Sequence, residues 1–175
     1  MRDFAHRLAI DSIRDGDRLD LTADEGERAT VAKRLDLLSL DRFEAHVMLH
    51  RDGKTVTCEG RVKAQLKQAC IASGDPVLAA IDERFALRFV PAPTIDAPEA
   101  ELELDEDSLD TMFHDGQAID LGEAIADTLA LALDPYPRGP DADAALRAAG
   151  VMSEAEAGPF AALAKLKSRG NSGEV

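Results

Sequence analysis

His46 and His50, four residues apart, are the first pair in this 175-residue chain whose type and spacing suggest chemistry. On a helix that spacing puts both imidazoles on one face, where they can share a metal ion. On a strand, four residues span about 13 Å at the usual rise, too far for one ion. Phe43, Ala45, Val47 and Leu49 alternate there with Glu44, His46, Met48 and His50, which is strand periodicity. Both rings are therefore expected to face solvent, and no metal is expected. The cysteines, Cys58 and Cys70, are too few for a disulfide framework and, lacking clustered partners, too few for zinc. By parity both fall on the buried side of their strand, as small hydrophobes. The acids of residues 96–110 invite a calcium reading, but an EF-hand loop needs Gly at its sixth position, and counting from Asp105 that position is Asp110. No G-x-S-x-G, Walker A or G-x-G-x-x-G motif is present. The expectation is a protein that is not an enzyme and carries no cofactor.

Cations offer a second kind of chemistry. Arg42, Arg61, Lys63, Lys67, Arg84 and Arg88 share the outward parity of three successive strands, and such a face suits a phosphate backbone, with affinity falling steeply as salt rises. Two features oppose bare RNA. The chain carries a formal charge of -14, which repels polyanions at long range, and its one Tyr and absence of Trp leave little for base stacking. Protein partners are the favoured expectation; the alternative is an RNA-binding module using Arg61, Lys63, Lys67, Arg84 and Arg88.

The elements that position these residues follow from periodicity and breakers. Strands are expected near residues 4–10, 41–50, 54–71 and 77–90, with Arg51-Asp52-Gly53 as a hairpin turn and Gly60 marking a bend. Thr22 and Glu25 fit a capping box for a helix near 23–37 that turns Val31, Leu35 and Leu38 inward. Asp120 and Glu123 fit a second box, for a helix near 120–133 whose Leu121, Ile125, Leu129 and Leu133 recur every four residues and which Asp134-Pro135 ends. The fold class expected is α+β: an antiparallel sheet or partly closed barrel, packed helices, and a C-terminal helical tail.

Length and charge complete the outline. Residues 1–92 hold 15 bases and 16 acids, and residues 93–175 hold 5 and 18, so net charges of -1 and -13 divide the chain. A single domain over 1–138 is expected, with an acidic connecting segment at 92–116 and a tail at 139–175 carrying a short helix near 159–167. No apolar run approaches the roughly 20 residues of a membrane span and no signal peptide is evident, so a cytoplasmic protein without membrane contact is expected.

Three segments together resemble the YceD family, the large ribosomal RNA subunit accumulation proteins. They are Cys58-Glu59-Gly60-Arg61-Val62-Lys63-Ala64 with Gln68-Ala69-Cys70-Ile71-Ala72-Ser73-Gly74-Asp75-Pro76-Val77; then Ile119-Asp120-Leu121-Gly122-Glu123 through Asp134-Pro135-Tyr136-Pro137-Arg138; then Pro159-Phe160-Ala161-Ala162-Leu163-Ala164-Lys165-Leu166-Lys167. Cys70 matches the first cysteine of the family's C-x-x-C, while Ser73 stands at the second. The resemblance implies a non-enzymatic role in accumulation or maturation of large-subunit (23S) ribosomal RNA. Its expected partners are ribosomal proteins or pre-50S assembly components, and whether rRNA is contacted directly or only through them stays open. Phe160, Leu163, Leu166 and Lys167 of the terminal segment are the expected contacts for such a partner, the first three as an apolar anchor.

Overall fold

A computed structural model describes residues 4–92 and 110–151. The chain opens on a short strand, β1 (Arg7–Ala9), and then runs through β2 (Asp17–Thr22), α1 (Glu25–Arg34), β3 (Ser39–Asp52), β4 (Thr55–Ala69) and β5 (Pro76–Pro91). After the connecting residues come β6 (Asp110–His114), β7 (Ala118–Asp120), α2 (Leu121–Ala132) and α3 (Ala142–Ala148). The described residues fall into two compact units, one comprising the chain up to Gln68 together with Leu78–Pro135, the other Ala69–Val77 together with the chain from Tyr136.

The first unit is built on a five-stranded sheet of order β2-β3-β4-β5-β6. β3 and β4 pair from Asp52↔Thr55 at the turn to Ser39↔Lys67, with one bulge between Leu40 and Arg42. The inward residues Phe43, Ala45, Val47 and Leu49 of β3, Val56, Cys58, Val62, Ala64 and Leu66 of β4, and Phe85, Leu87 and Phe89 of β5 are all buried in one cluster. Leu121, Ile125 and Leu129 of α2 complete it from the helical side, as their spacing of four dictates. Leu133 packs against its margin.

Several expectations are corrected. The sheet is open rather than a partly closed barrel, because β1, the strand available to close it, pairs antiparallel with β7 in a separate two-stranded sheet (Arg7↔Asp120). The sheet is also not wholly antiparallel: β6 runs parallel to β5, from Leu87↔Asp110 to Pro91↔His114. The connecting residues are long enough for the crossover that a parallel pair needs, and β6 itself lies inside what reads in sequence as acidic connector. β2 pairs antiparallel with β3 (Asp17↔Leu49 to Thr22↔Glu44), with α1 between them in the chain, where only a turn is expected.

Strand pairing of Thr22 also moves the helix cap. Asp24, not Thr22, is the N-cap of α1: its Oδ1 accepts from the Glu27 N–H at 2.9 Å, while Glu27 Oε2 accepts from the Asp24 N–H at 2.8 Å. The helix stops at Arg34, and Asp36 takes φ +53°, so Leu38 falls beyond the helix and is exposed rather than inward. At α2 half of the expected box forms, with Asp120 Oδ1 accepting from the Glu123 N–H at 3.1 Å. Among the described residues no helix is long and apolar enough to cross a membrane. The expected helix near 159–167 lies outside the described residues.

Two glycines permit close approaches in this unit. An added Cβ at Gly122 would lie 2.1 Å from the Phe4 carbonyl oxygen, and one at Gly60 would lie 2.4 Å from the His46 carbonyl oxygen and 2.8 Å from the Phe85 ring. The first lets the N-terminal segment cross α2, where the Leu121 N–H donates to the His6 carbonyl at 3.0 Å. The second lets β3 and the Phe85 ring close over β4.

Candidate functional site

Alternation along β3, β4 and β5 turns one row of side chains into the core and the other outward, and the outward row carries the charge. Arg61, Lys63, Lys67, Arg84 and Arg88 all stand on that outward row, as does Arg42 beyond the bulge. Register decides how much of their charge remains available. Arg61 is paired with Asp82, Lys67 Nζ lies 3.7 Å from Asp41, and Arg42 bonds Glu44 at 2.6 Å. Lys63 stands directly opposite Glu44. His46 joins the same system through Nδ1, 2.6 Å from Asp20 on β2. An uninterrupted phosphate patch is thereby broken into a mosaic, since exposed pairs of this kind contribute little stability but do cancel local field.

Arg18, Glu59 and Arg84 have no ion pair among the described residues and line one shallow groove of about 650 Å³ on this face. Between them lie Met48, Phe85, Ala86 and the bare backbone of Gly60. Arg18 comes from β2, which is why a reading confined to the three long strands misses it. His50, four residues from His46, turns to Asp15, with Nδ1 to Oδ1 at 3.0 Å. The two imidazoles thus have separate carboxylate partners.

His114 is a residue that sequence reasoning missed. It is buried, its Nδ1 accepts from the Gly116 N–H at 2.9 Å, and its Nε2 lies 2.8 Å from the Lys54 carbonyl. Because Gly116 donates to Nδ1, the ring hydrogen resides on Nε2 and donates to Lys54. That ring ties the end of β6 to the β3–β4 turn.

The second unit brings together two of the segments that carry the family resemblance. Residues 70–75 form a tight turn in which the Cys70 N–H donates to the Asp75 carbonyl and the Gly74 N–H to the Cys70 carbonyl, each at 2.8 Å. The Ile71 N–H reaches the Pro137 carbonyl at 2.9 Å, and the Gly139 N–H donates to Cys70 Sγ at 3.4 Å. The amide of Gly139, with the Ser73 hydroxyl and the amides of Ser73 and Ala72, lowers the Cys70 thiol to about pKa 7, outweighing the opposing effect of burial. Burial, aided by the charge of Glu59, pushes the Cys58 thiol the other way, up to about 12. Cys70 is buried, as parity suggests, but it is a sulfur that accepts hydrogen bonds rather than a plain core filler. Ser73, in place of a second thiol, supplies one of those donors.

Among the described residues no group of three or more His, Cys, Asp or Glu is placed to hold a metal ion. Phe160, Leu163, Leu166 and Lys167 lie outside the described residues. Comparison with known proteins finds no match among curated proteins and none among solved structures. A protein-family model, described as large ribosomal RNA subunit accumulation protein YceD, matches residues 58–167.

Proposed function

The chain belongs to the YceD family of large ribosomal RNA subunit accumulation proteins, and from that premise we propose a ribosome-biogenesis factor that supports accumulation or maturation of large-subunit (23S) rRNA without catalysing a reaction. The family match over residues 58–167 carries this reading. Within that range lie the turn at Cys70 and the Pro137–Gly139 backbone that donates to and accepts from it, so the matched segments include a folded unit and not only scattered positions.

The factor works through protein partners, namely ribosomal proteins or pre-50S assembly components. Charge supports this: the second half carries -13 of the -14 net charge, and complementary charge speeds association with a basic client and selects against acidic ones. In this scheme Phe160, Leu163 and Leu166 of the terminal segment are the apolar anchor and Lys167 a further contact. Depletion in the cell, followed by measurement of large-subunit rRNA and its precursors against small-subunit rRNA, tests the proposal. A selective fall in mature large-subunit rRNA is expected; unchanged levels and processing refute it.

A further inference from the structure

We propose that the groove on the outward sheet face is a subsite for single-stranded RNA, holding a nucleotide with its phosphates on Arg18 and Arg84 and its base over Met48 and Ala86. The choice of RNA as the anion rests on the proposed role in rRNA accumulation; the groove itself rests on geometry. Several cations of this face are paired in place, Arg61 with Asp82, Lys67 with Asp41 and Arg42 with Glu44, while Asp20 at the groove lies 2.6 Å from His46 Nδ1. Arg18 and Arg84 are both exposed, their guanidinium groups are uncommitted among the described residues, and both line the same groove of about 650 Å³. Met48 stands opposite Arg18 on one side and Glu59 on the other, and half-buried Met48 and Ala86 with Phe85 give the groove an apolar floor that Asp20, His46 and Arg61 also border. Two guanidiniums uncommitted among the described residues, bordering an apolar floor, match a ligand that is anionic along its backbone and planar and apolar on its faces, which describes an unpaired nucleotide. Arg is suited to both parts, since its planar fork bonds phosphate and stacks on a base.

Glu59, the remaining charge in the groove without an ion pair among the described residues, gives the subsite a direction of preference. A carboxylate accepts from an exocyclic amino group, as on cytosine, and has nothing to accept from at the corresponding position of uracil. The groove therefore prefers cytidine to uridine.

The test is fluorescence anisotropy of the full chain with labelled short oligocytidylate and oligouridylate, at two salt concentrations. Saturable binding of oligocytidylate, tighter than that of oligouridylate, is expected. Arg18→Gln and Arg84→Gln should each weaken it on the order of tenfold, as expected when one charge-assisted hydrogen bond is removed, and lower the salt slope by roughly 0.7 for each phosphate left without its arginine. Arg147→Gln, an exposed cation on α3, should change nothing, and Glu59→Val should abolish the preference for cytosine. Absence of binding, or equal affinity of wild type and both arginine variants, overturns the subsite; equal affinity for the two oligonucleotides overturns the role of Glu59. A fall in rRNA on depletion with no oligonucleotide binding refutes the groove alone. Binding at the groove with rRNA unchanged on depletion supports the groove and refutes the family-level role.

Discussion

Replacing Gly122 by alanine sets two opposing effects against each other, and the local geometry decides which wins. Inside a helix, alanine is favoured over glycine by about 1 kcal/mol, and Gly122 sits in the first turn of α2. The new methyl, however, would lie 2.1 Å from the Phe4 carbonyl oxygen and 2.8 Å from the His6 amide nitrogen. Both obstacles are backbone, so relief requires the N-terminal segment to lift away from α2. That movement disturbs the Leu121 to His6 hydrogen bond, the pairing of β1 with β7, and the seat of Phe4, which is 4% exposed and packs 4.8 Å, centroid to centroid, from Phe43. Overpacking of this kind costs about 1–3 kcal/mol, occasionally more, and each hydrogen bond broken adds about 1 kcal/mol. A net destabilisation of about 2 kcal/mol is expected once the helix preference for alanine is set against these costs. Gly26 in the first turn of α1 is the matched control: there an added methyl meets only Asp24 Oδ1, at 3.4 Å, so Gly26→Ala should be neutral or stabilising by up to about 1 kcal/mol. Urea unfolding monitored by far-ultraviolet circular dichroism measures both, with equal m-values securing the comparison. If Gly122→Ala proves as stable as wild type, the crossing of the N-terminal segment over α2 is not as described.

Leu129→Ala, at a side chain with no exposed surface, should cost roughly 2–5 kcal/mol through lost burial and a residual cavity, read from the same urea titrations; equal stability would place α2 on the wrong surface. Thiolate absorbance should rise through a single step near pH 7 from Cys70 while Cys58 stays protonated until far above it, and Ser73→Ala should move that step upward. Because the folded Cys70 lies below its unfolded value of 9.0, its contribution to stability is complete above about pH 9 and is lost as pH falls through about 7.

The long strands and α2 are legible in the sequence because one face of each is buried and the other wet. From Phe43 to Leu49 every second residue is core, and Leu121, Ile125 and Leu129 repeat at the helical interval. β2 is not legible, since Asp17, Arg18, Asp20 and Thr22 leave only Leu19 and Leu21 to carry an alternation, and charge on an edge strand is a general guard against unwanted pairing. Without β2, Arg18 is hidden from any reading of the outward face and the cap of α1 is misplaced, because Thr22-x-x-Glu25 and Asp24-x-x-Glu27 fit the same pattern and only the pairing of Thr22 with Glu44 chooses between them. Parity placed the cations on one face, but which acids sit within reach depends on register and bulges. The Arg61 to Asp82 pair is therefore invisible in one dimension, as is the meeting of Cys70 with Gly139.

The pairing of β1 with β7 bears on the order in which the protein is made. Arg7 leaves the ribosome early, yet its partner Asp120 is synthesised far later; at roughly 5–20 residues per second the first strand waits on the order of 10 s for the second. Once Pro91 is made, the hairpin of β3 and β4 and the following β5 have all their residues, while α2, which will cover their apolar surface, is still to come. The nascent chain is thus a half-finished sheet with its greasy side open until translation passes Ala132. Truncation past β1 from one end or past β7 from the other removes the same strand pair, but only the C-terminal cut also takes away α2 and the core residues it supplies.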